Sequence, residues 1–110
     1  YMKLQEVKEH YRTLMDIVES KMFNHKNKEY ASEEDALSNF RDASFLTGYE
    51  PELVAWLYAT KHYTSIVDLM KKIFIDNNEK VFNSSDLIKE KFTDMIAYLV
   101  LIYCLIYEKR

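Results

Sequence analysis

A chain of 110 residues with a single glycine and a single proline has few means of turning tightly. Sheet proteins reverse direction often, and their turns draw on those two residues. Their scarcity favours a few long helices with short connections. The expected fold class is therefore all-α: one domain over residues 1–110, a bundle of four main helices.

The apolar spacing supports this. Leu4, Val7, Tyr11, Leu14, Met15, Val18 and Met22 recur at three- and four-residue steps, one face of a helix over about Met2 to Phe23. Lys3, Glu6, Lys8, Glu9, Arg12 and Glu19 fill the other face. Asn24 to Glu29 breaks the pattern and reads as a loop. Ser32-Glu33-Glu34-Asp35 resembles a capping box, with acids that favour the positive end of a helix. The second helix then places Leu37, Phe40, Ala43 and Ser44 on one side, and Gly48 suits the left-handed position that ends it.

Pro51 fits the first turn of the third helix, where its missing N–H has no partner to lose. Leu53, Val54, Leu57, Ile66, Leu69, Met70 and Ile73 carry the period on to Asp76-Asn77-Asn78. Ser84 or Ser85 caps the fourth helix, about Asp86 to Glu108. Its C-terminal half is apolar nearly all round, as in a most-buried helix. Three amphipathic helices cover only part of such a surface, so a homo-oligomer is expected. Cys104 sits in this run and reads as a buried, inert thiol, and a reducing cytoplasm fits.

Several function classes are disfavoured. The apolar run Met95 to Tyr107 is 13 residues long, whereas a membrane span needs about 20. No membrane partner and no signal peptide are expected, and Tyr1 reads as a remnant ahead of a native Met2. Fifteen basic and eighteen acidic residues are interspersed, for a net charge of -3. Without a basic block, duplex nucleic acid is not an expected partner. The chain has no Gly-x-Ser-x-Gly elbow, no reactive-cysteine context and no phosphate-cradling glycine loop.

Attention falls on polar residues beside the apolar faces. Asp35, Asn39 and Asp42 form one stripe on the second helix. Lys61, Ser65 and Asp68 form another on the third, with His62 beside it. Such stripes are ordinarily solvated. The functional alternative is that Lys61 and His62 hold a phosphate or polarise a substrate. Glu90 and Asp94, four residues apart, can hold a hard cation through oxygen, or can simply pair with lysines. Asp94 opens the apolar run one turn before Tyr98, so it is expected to be partly buried, which is costly for an unpartnered carboxylate. Trp56 and the nine tyrosines could stack a base, although tyrosine at helical spacing more commonly serves core or interface.

Asn24-His-Lys-Asn-Lys-Glu-Tyr30 followed by Asp35-Ala-Leu-Ser-Asn-Phe40 resembles a pattern in small phage and prophage proteins. Lys61-His62-x-x-Ser65-Ile66 and Asp94-x-Ile96-x-Tyr98-Leu99 continue it in order over roughly residues 24–108. The pattern is similar to the phage nucleotide-modification-associated family and, more remotely, to the all-α, MazG-like NTP pyrophosphohydrolases. The resemblance implies a ligand site shared by Lys28, Tyr30, Asp35, Asn39, Lys61, His62, Asp94 and Tyr98, and magnesium held by Asp35, Glu90 and Asp94. The chain departs from the pyrophosphohydrolases in its carboxylates. Glu90 and Asp94 are one residue too far apart for Glu-x-x-Asp, and the Glu34-Asp35 pair lacks a second acid in register.

Two functions follow as expectations. One is a phage-type protein that binds a nucleotide, with possible magnesium-dependent pyrophosphohydrolase activity. The other is a non-catalytic accessory or anti-defence protein that sequesters a nucleotide-derived signal or blocks a host defence protein. A plain structural bundle with an interaction face is the bland alternative. For a phage-encoded chain the compartment expected is the host cytoplasm.

Overall fold

The structure, a computed structural model, describes residues 1–23 and 37–109. Among these residues all regular structure is helical. The elements are α1 (Leu4–Phe23), α2 (Ser38–Thr47), α3 (Pro51–Phe74), the single turn α4 (Glu79–Phe82) and α5 (Ser85–Glu108). No helix among the described residues is long and apolar enough to cross a membrane.

Local chemistry explains most of the boundaries. Gly48 ends α2 at φ 77°, and its N–H donates to the Ser44 carbonyl. Pro51 opens α3 in the first turn. The third helix stops at Phe74 because Asn77 adopts φ 51°, a left-handed value that asparagine tolerates better than most residues. Asn78 then caps α4, its side chain accepting from the Val81 N–H. That short helix is not apparent in the periodicity, since one turn is too brief to show a period. Ser84 occupies the N-cap of α5 but makes no side-chain cap bond. The second helix runs from Ser38, with Leu37 at its N-cap and no side-chain cap bond. The loop from Asn24 and the Ser32 box lie outside the described residues.

The core forms where α2 and α5 pack on α3. Phe40, Val54, Ala55, Ala59, Tyr98, Leu101 and Leu105 are buried together, with Met22 of α1 against them. Ala55 and Ala59 on α3 and Ala97 on α5 are all essentially inaccessible. Small side chains at these points leave room for close helix packing.

Several residues expected inside are outside. Leu4, Val7 and Tyr11 are 70%, 47% and 61% exposed, because only the second half of α1 packs on α5. Leu53 and Leu57 are exposed while the intervening Val54 and Ala55 are buried. The buried face of α3 is therefore rotated toward its small residues. The C-terminal half of α5 is not the most buried stretch of the chain. Ala97, Tyr98, Leu101 and Leu105 face the core, but Leu99, Val100, Tyr103, Ile106 and Tyr107 do not. Cys104 lies on that open side and is exposed, which corrects the expectation of a buried thiol.

Candidate functional site

The polar cluster is built on α5 around Asp94. Thr93 precedes it and has no accessible surface. Its hydroxyl donates to the Lys89 carbonyl at 2.6 Å, one turn back, a bond that satisfies a buried threonine within its own helix. Asp94 lies at the edge of this buried strip, with its side chain 24% exposed.

Lys21, near the end of α1, reaches across to α5. Its ammonium donates to the Glu90 carbonyl at 3.0 Å, the Thr93 hydroxyl at 2.8 Å and Asp94 Oδ1 at 2.6 Å. A lysine has three donors, and three acceptors on one helix meet them. The Lys21 side chain is 21% exposed, so this pair is shielded more than an ordinary surface bridge.

His62 of α3 approaches from the other side. Its Nδ1 lies 3.7 Å from Asp94 Oδ2, close enough for charge to matter but longer than a hydrogen bond. The imidazole lies 4.7 Å from the Tyr98 ring, centroid to centroid, with the planes tilted by 34°. Tyr98 is buried and meets Phe40 edge-on at 6.2 Å, and Phe40 in turn meets Tyr58 at 6.1 Å. An aromatic chain thus anchors the histidine from beneath while the carboxylate faces it.

Of the residues implicated by the sequence pattern, His62, Asp94 and Tyr98 come together. Asn39 is half-buried on α2, directly before Phe40. Lys61 is exposed, and no salt bridge joins it to a described residue. Glu90 takes part through its main-chain carbonyl, while the residue itself is exposed. Lys28, Tyr30 and Asp35 lie outside the described residues. No group of three or more His, Cys, Asp or Glu side chains able to hold a metal occurs among the described residues.

Lys21 and Thr93 were missed. A signal for Lys21 existed: it continues the three-four spacing of Leu14 and Val18, so it falls on the packed face of α1. A lysine on such a face needs a buried acceptor. Thr93 lies one turn before Ala97 on the inward side of α5, where a polar residue stands out in the same way.

A surface pocket of about 270 Å³ lies at the turn between α3 and α4, lined by Ile73, Phe74, Asn77, Asn78, Glu79 and Phe82. It holds no cationic side chain and does not touch the Asp94 cluster. At the far end of the molecule Lys109 bonds both Glu50, at 2.6 Å, and Glu52. Arg41 makes a two-pronged bridge to Glu108. These contacts tie the chain's last turn to α2 and to the start of α3. Compared with family models, curated proteins and solved structures, the chain finds no match.

Proposed function

We propose that the protein binds a nucleotide or nucleotide-derived small molecule at the cluster of Lys21, His62, Asp94 and Tyr98, and that it acts by occupancy. One observation carries this reading: Lys21 already holds Asp94 Oδ1. The Asp94 charge is thereby offset, so a phosphate-bearing ligand approaching His62 meets no net negative charge from the cluster. The same bond works against a magnesium role for Asp94, since a metal would have to displace an ammonium that has its full set of acceptors. Magnesium would also need Asp35, and Glu90 contributes its carbonyl rather than its carboxylate.

Tyr98 is buried beneath His62 and supports its ring, so the half-buried imidazole is the group of this pair that a ligand would meet. With Nδ1 turned to Asp94, Nε2 is the nitrogen left to meet a ligand. Sequestration of a nucleotide-derived signal fits this set better than turnover, because the carboxylates needed to hold magnesium are not assembled among the described residues. We also infer that the chain works as a homo-oligomer, on the strength of its exposed apolar area.

Calorimetry against nucleoside mono-, di- and triphosphates and cyclic dinucleotides, with and without magnesium, tests this reading. The expected result is stoichiometric binding that persists in EDTA, with ligand recovered unchanged. His62→Ala should weaken it at least tenfold, equivalent to about 1.4 kcal/mol. Binding only with magnesium, accompanied by pyrophosphate release, would favour the hydrolase instead. No heat with any of these ligands, and no small molecule released on denaturation, would sink both.

A further inference from the structure

We infer that two copies exchange the first halves of α1, each laying Leu4, Val7 and Tyr11 against Leu99, Tyr103 and Ile106 of the other's α5. This rests on the homo-oligomeric reading above and specifies its surface.

The surface area motivates a partner. The chain exposes 8465 Å², whereas a compact monomer of 13.2 kDa exposes about 6400 Å². The difference of about 2000 Å² exceeds the roughly 800 Å² per partner of a standard interface and suits an obligate dimer. The radius of gyration agrees, at 16.1 Å against about 13 Å for a compact chain of this length.

The first half of α1 is the clearest unmatched element. Residues 1–13 are exposed throughout. Yet Leu4, Val7 and Tyr11 belong to the same stripe whose later members, Leu14 and Val18, pack within the fold. A helix of this length is only marginally stable in water unless its apolar face is covered.

The occupant must present a bare apolar stripe of similar length. Positions 4–11 rise about 11 Å along a helix, and positions 99–106 rise the same amount. Leu99, Tyr103 and Ile106 are spaced i, i+4, i+7 and are 47%, 65% and 44% exposed. These three stay exposed although α1 of the same chain docks on α5 at Glu90 to Asp94 through Lys21. Lys3 and Lys8 flank the α1 stripe, so pairing one α1 with another would bring positive groups together. Packing α1 on α5 avoids that and closes reciprocally about a twofold axis.

Two single-cysteine proteins test the proposal, Val7→Cys and Tyr103→Cys, each in a Cys104→Ser background. Circular dichroism and light scattering of each variant alone first establish that it keeps the helical fold and the oligomeric state of the wild type. The two are co-expressed and treated with a short bismaleimide. The expected product joins Val7→Cys to Tyr103→Cys, in a species of twice 13.2 kDa by light scattering. A dimer that yields only like-to-like products would overturn the exchanged packing while leaving the oligomer intact. A monomer at micromolar concentration would overturn both.

Discussion

Replacing Lys21 with methionine should reveal what holds α1 in place. Methionine keeps most of the apolar stem and removes the ammonium. Among the described residues it gives up bonds to the Glu90 carbonyl, the Thr93 hydroxyl and Asp94 Oδ1. Only the last joins two opposite charges. Hydrogen bonds to charged groups contribute about 1.5–3 kcal/mol when well shielded, and exposed pairs at most about 1. With the two side chains only 21% and 24% exposed, the estimate sits in the lower part of the shielded range, at about 2 kcal/mol. At about 4 °C per kcal/mol for a domain of this size, the melting temperature should fall by about 8 °C. The assay is urea denaturation of wild type, Lys21→Met, Asp94→Asn and the double variant, followed by circular dichroism. The pair should couple by about 1–2 kcal/mol. A Lys21→Met cost below about 0.5 kcal/mol with no coupling to Asp94 would refute the assignment of the tie, because an ion pair this shielded should register at least that much.

Three further outcomes are expected. Tyr98→Ala empties a buried ring site beside Phe40 and His62, and should cost about 3–5 kcal/mol in urea denaturation. Gly48→Ala should cost about 1–2 kcal/mol by the same assay; nothing lies within 4 Å of an added Cβ, so the penalty comes from φ 77° alone, and Gly48→Asn should be milder. The third concerns pH. The bond from Lys109 holds the Glu52 carboxyl below its ordinary value, and bonds to Glu50 and Glu52 hold the Lys109 ammonium above its own. The Glu52 contribution is thus complete above the ordinary carboxyl range and lost as pH falls through the lowered value. The Lys109 contribution is complete below the ordinary lysine range and lost as pH rises through the raised one. Thermal melts of Lys109→Met should therefore fall below wild type at neutral pH and converge with it in strong acid; an equal gap at both would discount the clamp.

The helices were legible because their signals are local. Gly48, Pro51 and the Asp76-Asn77-Asn78 break each act within a turn, and each marks a boundary in the structure. Which half of a helix is covered was not legible. The stripe from Leu4 to Met22 is continuous in sequence, but coverage depends on where another helix ends in space. Leu53 and Leu57 show the same limit: alanines at 55 and 59 decided which face of α3 turns inward, and hydrophobicity ranks alanine below leucine. For the site, Asp94 and His62 stood out as polar residues beside apolar faces, whereas Tyr98 entered only through the family resemblance. Lys21 shares the period of Leu14 and Val18, which places it on the packed face of α1, but its partner lies 73 positions away, so the spacing could not name the carboxylate it meets.

Docking of α1 through Lys21 has a thermodynamic consequence. Among the described helices α1 packs on α5 alone, and its charged tether ends on the same carboxylate that faces His62. A molecule competing for Asp94 must loosen α1, while one that leaves the lysine bonded and engages His62 tightens it. Occupancy and helix attachment then report on each other in both directions, by equal free energies, and protease cleavage within α1 offers a readout that needs no knowledge of the ligand.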